Sequence, residues 1–289
     1  MIVTTFFRFV DLSQEERQAL RERLLELPGL KGLILLAPEG INGMASGTEA
    51  EISALRELLD SYPHFEGLEY KNSECPQRPF PKWKVELKDQ SILYGDRFRP
   101  SGERHRHLTP KEWHALLKSK EPVTVLDTRN RYETRVGTFR EAIDPDIDSF
   151  TEFSDYLENC DLPKDRTTLI YCTGGIRCEK AILEMEELGF SEVFQLEGGI
   201  LKYLEEFPDE EFEGECFVFD SRVSVDQHLK PSQRFWLCPH CGDPGDLKLP
   251  CQQCGGDAHL CADCASVLPT CSKDCTYHWR RLNARQTCS

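Results

Sequence analysis

The residues best suited to covalent chemistry lie in one segment, Tyr171-Cys172-Thr173-Gly174-Gly175-Ile176-Arg177-Cys178. Cys172 is predicted to end a strand, and a helix is predicted to begin near Arg177. The backbone N–H groups of the intervening loop can therefore converge on the sulfur, and the helix N-terminus favours negative charge there. Both effects lower the pKa of a thiol, and the two glycines permit the backbone angles that such a loop requires. The segment predicts a reactive thiolate at Cys172, with Arg177 beside it, and argues against a buried, inert thiol.

The spacing Cys-x4-Arg sets the size of this loop. A Cys-x5-Arg loop makes a wider cradle that accepts phosphate, whereas the shorter loop fits a single sulfur atom bound to the cysteine, so a tyrosine phosphatase is disfavoured. Cys178 is predicted to lie one turn into the helix, where it either resolves a Cys172 persulfide or sulfenic acid as a disulfide or simply packs. Asp127 and Arg129 are predicted to brace the sheet near the loop through an ion pair, with a substrate role for Arg129 as the alternative.

A second set of residues suited to chemistry consists of four closely spaced cysteine pairs. The pairs are Cys238 and Cys241, Cys251 and Cys254, Cys261 and Cys264, and Cys271 and Cys275. Each pair can place two thiolates about 2.3 Å from one tetrahedral Zn²⁺, so four pairs predict two closed zinc sites. Sequential and interleaved pairings both satisfy the spacing, and His240, His259 or His278 can replace a cysteine. A closed site has no open coordination position, so its predicted role is structural or RNA-contacting and not catalytic.

Other cofactor motifs are absent from the sequence. It contains no Gly-x-Gly-x-x-Gly segment for a flavin or a nicotinamide, and His64-Phe65-Glu66 is only a weak match to an iron-binding facial triad. No cofactor-binding residues are therefore predicted apart from the cysteine pairs.

Several motifs together carry a resemblance to a known family. Val125-Leu126-Asp127-Thr128-Arg129, the Cys172 loop and Leu196-Glu197-Gly198-Gly199-Ile200 resemble a rhodanese domain. Three further motifs narrow the resemblance to one family of rhodanese-domain proteins. They are the segment from Cys172 to Lys180, Ala37-Pro38-Glu39-Gly40-Ile41-Asn42 upstream of it, and Phe217-Val218-Phe219-Asp220 before the cysteine pairs. Over nearly its whole length, the chain resembles the bacterial rhodanese-domain tRNA uridine(34) hydroxylase family, which is oxygen-dependent.

The resemblance implies an enzyme that hydroxylates the wobble uridine of certain tRNAs at ring carbon 5, with molecular oxygen as co-substrate. It places Cys172 in the position of the persulfide-carrying cysteine of a rhodanese, and we expect Cys172, Arg177 and Cys178 to be the catalytic residues. The expected partners are the tRNA anticodon loop and a donor protein for sulfur or electrons. Two rival functions are a sulfurtransferase that carries a Cys172 persulfide and a non-enzymatic adaptor that binds RNA or protein, although an intact Cys172 and Arg177 argue against the adaptor.

The elements predicted for residues 1–73 alternate between strand and helix. They are a strand over Ile2–Val10, a helix from the capping box at Ser13 to about Leu27, a strand over Gly32–Ala37, a turn flanked by Gly40 and Gly43 that leads into a short third strand, a helix from Thr48 to about Ser61, and a strand over Gly67–Asn72. The order β-α-β-β-α-β predicts a ferredoxin-like α+β domain. Glu39 and Asn42 fall on a glycine-bounded turn of this domain, where a simple turn role is expected.

The remaining residues divide into three further segments. Residues 74–108 are predicted to be a basic linker with one strand from Trp83 to Lys88. Residues 109–215 are predicted to form the rhodanese-like domain, because short apolar strands alternate there with helices, a pattern typical of a mostly parallel sheet covered on both faces. Residues 216–289 are predicted to form a small Cys-rich zinc module.

The charge of the chain restricts how tRNA can bind. The formal net charge is −15, which repels nucleic acid overall, so tRNA binding requires a local basic patch. From Arg78 to Lys111 nine basic residues face four acidic ones. This segment is predicted to be either a solvated linker or a phosphate-binding strip from Arg78 to Arg106 that includes Arg97, Arg99 and Arg104.

Length and composition indicate a globular protein of two or three domains, since the chain has 289 residues. No apolar run approaches the roughly 20 residues that a membrane span requires, and the first residues lack the basic region of a signal peptide. The 14 cysteines of such a chain favour metal binding over disulfides. We therefore expect a cytoplasmic protein that has no membrane partner.

Overall fold

The computed structural model of the protein describes residues 1–95, 97–101 and 105–286. These residues form two compact units. The first unit comprises Met1–Cys216 and Asp226–Lys230, and the second comprises Phe217–Val225 together with the segment that follows Lys230. Among the described residues, none of the helices combines the length and the apolar composition needed to cross a bilayer.

The N-terminal part of the first unit is a five-stranded sheet with two helices. The helices are α1 (Gln14–Leu25) and α2 (Glu49–Asp60), and the strands are β1 (Ile2–Phe9), β2 (Lys31–Ala37), β3 (Gly40–Gly47), β4 (Lys71–Glu74) and β5 (Trp83–Leu87). The strand order is β4-β1-β3-β2-β5, and the first four strands have the arrangement of a ferredoxin-like domain. The predicted fold of this domain is confirmed.

Local sequence signals account for both helices. Ser13 and Glu16 form the predicted capping box of α1, and Thr48 and Glu51 form that of α2. The apolar faces of the helices pack on one face of the sheet, against residues such as Phe6. Because side chains alternate along a strand, Phe7 points to the other face, which the helices leave uncovered.

Strand β5 joins this sheet as a parallel neighbour of β2. It lies within the segment that the sequence predicts to be a basic linker with a strand from Trp83 to Lys88. The indole N–H of Trp83 donates a hydrogen bond to the carbonyl of Leu24 at 2.9 Å, which attaches the strand to α1. The segment before residue 88 therefore extends the first sheet.

The second part of the first unit is an α/β domain around a parallel sheet. Its helices are α3 (Pro110–Lys118), α4 (Arg131–Thr134), α5 (Phe153–Asn159), α6 (Ile176–Glu187) and α7 (Gly199–Glu206), and its strands are β6 (His107–Leu108), β7 (Thr124–Asp127), β8 (Gly137–Phe139), β9 (Thr168–Tyr171), β10 (Val193–Leu196) and β11 (Phe212–Gly214). The four-stranded sheet has the order β6-β10-β9-β7, and β8 pairs with β11 in a separate ribbon. The predicted parallel sheet is confirmed, and the carboxyl ends of β7, β9 and β10 meet at one edge.

The second unit is built from short elements around the cysteine pairs. They are β13 (Ser224–Val225), β14 (Trp236–Leu237), β15 (Pro244–Gly245), β16 (Leu247–Pro250), β17 (Asp257–Leu260), α8 (Ala262–Val267) and α9 (Lys273–Gln286); β12 (Cys216–Phe217) precedes them at the boundary of the two units. Its small core consists mostly of cysteine side chains, with Ala258 and Leu260. A core this small requires another source of stability.

Candidate functional site

Cys172 follows β9 directly and lies at the N-terminus of α6, as predicted. Gly175 is the residue that precedes the helix, with a φ of 103° that favours glycine, and its N–H donates a hydrogen bond to the Cys172 sulfur at 3.0 Å. The thiol is 1% exposed. The loop therefore holds a buried sulfur against backbone donors at the positive end of a helix.

The loop is closed from the other side by the start of α7. The N–H of Ile200 donates to the Cys172 carbonyl at 3.0 Å, and Gly199 approaches that carbonyl so closely that a Cβ would lie 2.5 Å from its oxygen. Gly199 also has a φ of 65°. Only glycine satisfies both constraints, which explains this residue in the motif that follows β10.

The electrostatic environment of the loop shifts the pKa values of Cys172 and Cys178 in opposite directions. Burial raises the pKa of Cys172, but a hydrogen bond from the Cys178 thiol, the Arg177 charge and the backbone N–H groups of Arg177 and Gly175 outweigh burial and lower the pKa to about 5. Burial and the adjacent Cys172 thiolate raise the pKa of Cys178 well above its usual range. One thiolate and one thiol therefore face each other, with the Thr128 hydroxyl 3.6 Å from the Cys178 sulfur.

A chemical labelling experiment tests this ionisation. We expect iodoacetamide to alkylate Cys172 with a pH profile that inflects near pH 5, whereas ordinary thiols become reactive near pH 8.5. Mass mapping after brief treatment at pH 6 should show modification at Cys172 ahead of Cys75 and Cys160, which serve as internal controls. Equal labelling of the three cysteines would show that the Cys172 thiol is not activated.

Arg177 is held by a carboxylate that the sequence analysis missed. Its guanidinium forms a two-pronged ion pair with Glu133, at 2.5 and 2.7 Å, and the Glu133 side chain is fully buried. The Thr173 hydroxyl donates to the same carboxylate at 3.3 Å. Glu133 closes a capping box with Asn130 in α4, a short local pattern that sequence inspection could have detected.

Asp127 and Arg129 form the predicted ion pair at the end of β7. Their side chains are fully buried and 2.7 Å apart, and Arg129 also donates to the Gly137 carbonyl at 2.6 Å. The guanidinium thus ties β7 to β8. This observation supports the bracing role over the substrate role.

Glu39 has a larger role than the turn residue that the sequence predicts. Its carboxylate forms an ion pair with the ammonium group of Lys180 on α6 at 2.8 Å, and both side chains are buried. It also accepts hydrogen bonds from the N–H and hydroxyl of Ser91, both at 2.8 Å. Asn42 donates to the Ser91 carbonyl at 3.0 Å. The simple turn role is therefore wrong for both residues, since the upstream motif binds the helix of the Cys172 loop.

A cleft of about 180 Å³ lies beside the Cys172 loop. The N-terminal domain provides one wall and the loop regions after β9 and β10 provide another. The residues used below are Phe7, Lys71, His107, Gly175, Glu179 and Gly198. Cys172 lies beneath this lining, directly behind Gly175. Both domains of the first unit therefore build the candidate active site.

The eight paired cysteines form two groups in the second unit. One group contains Cys238, Cys241, Cys261 and Cys264, and the other contains Cys251, Cys254, Cys271 and Cys275; within each group, all sulfur atoms lie within 4.8 Å of one another. This is the interleaved arrangement of the two that the spacing permits. Each group could hold one metal ion.

The three candidate histidines have other partners. His240 lies 2.8 Å from the Thr270 carbonyl, and the His259 ring packs against Trp236 at an interplanar angle of 41°, with ring centroids 4.0 Å apart. His278 contacts Tyr277, with centroids 5.3 Å apart. The groups are therefore built from cysteine alone among the described residues.

The predicted basic strip is largely neutralised by carboxylates of this chain. Six of the nine cations from Arg78 to Lys111 form ion pairs: Arg78 with Glu51, Lys84 and Lys88 with Glu86, Arg97 with Glu187, Arg106 with Glu186, and Lys111 with Glu206. Arg104 lies outside the described residues. The strip therefore offers less net charge to a phosphate backbone than its composition indicates.

A parallel sheet that presents a cysteine at the N-terminus of a helix, in a Cys-x4-Arg loop, defines a rhodanese-like domain. The sequence comparisons agree: residues 109–206 match the rhodanese-like domain family, residues 1–90 match the family described as UPF0176 acylphosphatase like domain, and residues 213–276 match the family described as rhodanase C-terminal. The class of each segment follows from these matches.

Full-length relatives narrow the class to one family. A Bdellovibrio bacteriovorus protein named tRNA uridine(34) hydroxylase is 42% identical, over 98% of this chain and 83% of that protein. A Rhizobium leguminosarum protein of the same name is 45% identical, over 84% of this chain and 80% of that protein. The chain belongs to the tRNA uridine(34) hydroxylase family. Among solved structures, a rhodanese-like domain protein from Staphylococcus aureus is 26% identical, with a TM-score of 0.31, over 38% of this chain and 97% of that one.

Proposed function

We propose that this protein hydroxylates carbon 5 of the wobble uridine of tRNA, with molecular oxygen as co-substrate and Cys172 as the essential residue. The observation that carries the proposal is the buried Cys172 thiolate in a cleft shared by the two domains, in a chain that belongs to this family. The anticodon loop is single-stranded, so its wobble base can leave the stack and enter a protein cleft. A tRNA substrate is consistent with a cytoplasmic location.

Cys172 and Cys178 together can supply the electrons for this reaction. Insertion of one oxygen atom into the C5–H bond leaves the second oxygen atom to be reduced to water. If the two thiols form a disulfide, they release the two electrons and two protons that this reduction consumes. A thiol donor protein would then reduce the disulfide, which is the donor partner that the sequence analysis expects.

The geometry favours this redox role over direct addition of Cys172 to ring carbon 6. Cys178 is already in hydrogen-bond contact with the Cys172 sulfur, so the two residues are placed to form a disulfide. Arg177 stabilises the thiolate by its charge. Glu133 holds that guanidinium in place and is a positioning residue.

The sulfurtransferase and the adaptor remain the alternatives that an experiment must separate. A sulfurtransferase would use the same thiolate to carry a persulfide and would produce a thiolated nucleoside. An adaptor would need neither thiol. No contact among the described residues favours either alternative over the hydroxylase, to which the family points.

Expression in a bacterial host that lacks its own wobble-uridine hydroxylases tests the proposal. Mass spectrometry of digested tRNA should detect 5-hydroxyuridine with the wild-type protein and none with Cys172→Ala. Cys75→Ala is the matched control, because Cys75 is also buried but lies outside the Cys172 loop. A thiolated nucleoside would support the sulfurtransferase, and full hydroxylation by Cys172→Ala would exclude a catalytic role for Cys172.

We further propose that the two cysteine groups bind zinc and hold the second unit folded. Tetrahedral Zn–S bonds of about 2.3 Å place sulfur atoms about 3.8 Å apart. The sulfur atoms are 3.6 Å apart in three pairs, which are Cys241 with Cys261, Cys254 with Cys271, and Cys271 with Cys275. Backbone N–H groups also donate to the sulfurs of Cys261 and Cys251, at 3.4 and 3.3 Å, as expected for ligand thiolates.

Elemental analysis checks the zinc proposal. We expect about two zinc ions per purified chain and about one in Cys254→Ser, since each group is a separate closed site. Removal of zinc with a chelator should unfold the second unit, because its core is mostly ligand side chains. A zinc content near zero, with these cysteines in disulfides, would contradict the proposal.

A further inference from the structure

Lys71 is a buried lysine of the cleft. Burial lowers the pKa of its ammonium group, and the negative charges of Glu69, Cys172 and Glu179 act against this shift. It lies on β4 and is 8% exposed. Within the part of the chain that the structure describes, its ammonium group forms neither an ion pair nor a hydrogen bond. A buried ammonium group without an ion pair or a hydrogen bond is energetically unfavourable, so a ligand that accepts a hydrogen bond from Lys71 would be stabilised in the cleft.

Phe7 lies beside this cation at the Cys172 loop. The Lys71 Nζ atom is 4.7 Å from the centroid of the Phe7 ring, a cation–π contact. Two ring atoms of Phe7 lie 3.5 Å from the point where a Cβ on Gly175 would be, so the ring contacts the loop that covers Cys172. An aromatic ring and an ammonium group therefore line the cleft, and the ring lies against the loop that holds the reactive sulfur.

The other cations of the cleft already have partners. His107 pairs with Glu179 at 2.9 Å, and Arg8 donates to the Glu66 carbonyl at 2.7 Å. Among the described residues that line this cleft, Lys71 is therefore the cation with neither an ion pair nor a hydrogen bond.

The remaining charges decide which ligand fits. Glu69, Glu179 and Glu197 also line the cleft, and these carboxylates would repel a phosphate group. A neutral base with carbonyl oxygens avoids that repulsion and can accept a hydrogen bond from Lys71. Aromatic side chains stack on bases from single-stranded RNA loops, which is the contact that Phe7 offers.

We propose that Phe7 and Lys71 form the subsite for the wobble base, with the base stacked on Phe7 and the carbonyl at uracil carbon 4 bonded to Lys71. This inference rests on the proposed function and adds a basis for specificity. Lysine only donates hydrogen bonds, so it binds the carbonyl at uracil carbon 4 but opposes the amino group that cytosine carries there. The subsite therefore selects uridine over cytidine at the wobble position.

Binding measurements without turnover test the subsite. Two anticodon stem-loop RNAs that differ only by uridine or cytidine at the wobble position are titrated in the absence of oxygen. We expect the wild-type protein to prefer the uridine RNA by about tenfold or more, the range of one charge-assisted hydrogen bond. Lys71→Met should remove this preference without weakening the binding of the cytidine RNA. Lys71→Arg should retain part of the preference for the uridine RNA. Lys31→Met, a lysine change on β2 away from the cleft, should retain the full preference.

The outcomes separate this inference from the proposed function. If Lys71→Met keeps the preference for uridine, or if the wild-type protein binds both RNAs equally, the proposal of a wobble-base subsite is wrong. If the preference depends on Lys71 but the protein produces no 5-hydroxyuridine, the subsite stands and the hydroxylase proposal fails. Thermal melting of each variant verifies folding, and methionine in place of a buried ammonium group should not lower the melting temperature.

Discussion

Replacing Glu133 by alanine should lower the free energy of unfolding by about 3–5 kcal/mol, the usual effect of removing one partner of a buried ion pair. The change leaves Arg177 buried without its carboxylate, since both side chains are almost fully inaccessible. Urea unfolding followed by circular dichroism measures the loss. The matched control is Glu213→Ala, because the Glu213–Arg140 ion pair is exposed and should contribute at most about 1 kcal/mol. Equal losses in the two variants would contradict this account of the Arg177 contact.

The Glu133–Arg177 ion pair also has a defined pH dependence. Burial raises the pKa of Glu133, but the charge and hydrogen bonds of Arg177 outweigh burial and hold the pKa below its usual range. A carboxylate with a lowered pKa stabilises the fold fully above the unfolded-state pKa of about 4.3. Its contribution is lost as the pH falls through the lower pKa of the folded state. Glu133→Ala should therefore be closest to wild type in stability under strongly acidic conditions.

Replacing Glu39 by alanine should be comparably destabilising, by about 3–5 kcal/mol, because Lys180 is fully buried and, among the residues that the structure describes, would retain only its hydrogen bond to the Ile92 carbonyl at 3.2 Å. Lys180→Met should be milder, since Glu39 keeps two hydrogen bonds from Ser91. Adding Lys180→Met to Glu39→Ala should recover part of the loss, because it removes the unpaired charge. A double-mutant cycle by urea unfolding measures this coupling, and strictly additive losses would show that the two side chains do not interact.

The Lys180→Met variant also tests how the Glu39–Lys180 ion pair contributes to the candidate active site. Glu39 lies before β3 and Lys180 lies on α6, so the ion pair attaches the N-terminal domain to the helix that carries Arg177 and Cys178. We expect Lys180→Met to reduce hydroxylation while Cys172 keeps its alkylation profile. The thiolate depends on the loop itself, whereas the cleft depends on both domains.

Short-range patterns made much of the structure predictable. The capping boxes at Ser13 and Thr48 set the starts of two helices, and the Cys172 loop was predictable because strand end, glycines and helix start are contiguous in sequence. The fourth strand was predicted over Gly67–Asn72, but it begins only at Lys71, because a turn with Gly67 at a φ of 69° precedes it. A local pattern sets the type of an element more firmly than its boundaries.

Contacts between distant residues were not predictable in the same way. Lys71 and Phe7 are far from Cys172 in the sequence, and they meet the loop only because one face of the first sheet is left uncovered by its helices. Glu39 resembles an ordinary turn residue until its partner on α6 is known. The pairing of the cysteines likewise depends on how the short strands of the second unit fold, which the spacing of each pair does not specify.

Isotope labelling tests the central claim most directly. Purified protein, a thiol reductant and an unmodified tRNA are incubated under ¹⁸O₂, and the nucleosides are analysed by mass spectrometry. The account predicts 5-hydroxyuridine at the wobble position that carries the heavy oxygen, formed by the wild-type protein and not by Cys172→Ala. A thiolated nucleoside, or hydroxylation that proceeds equally well without Cys172, would contradict it.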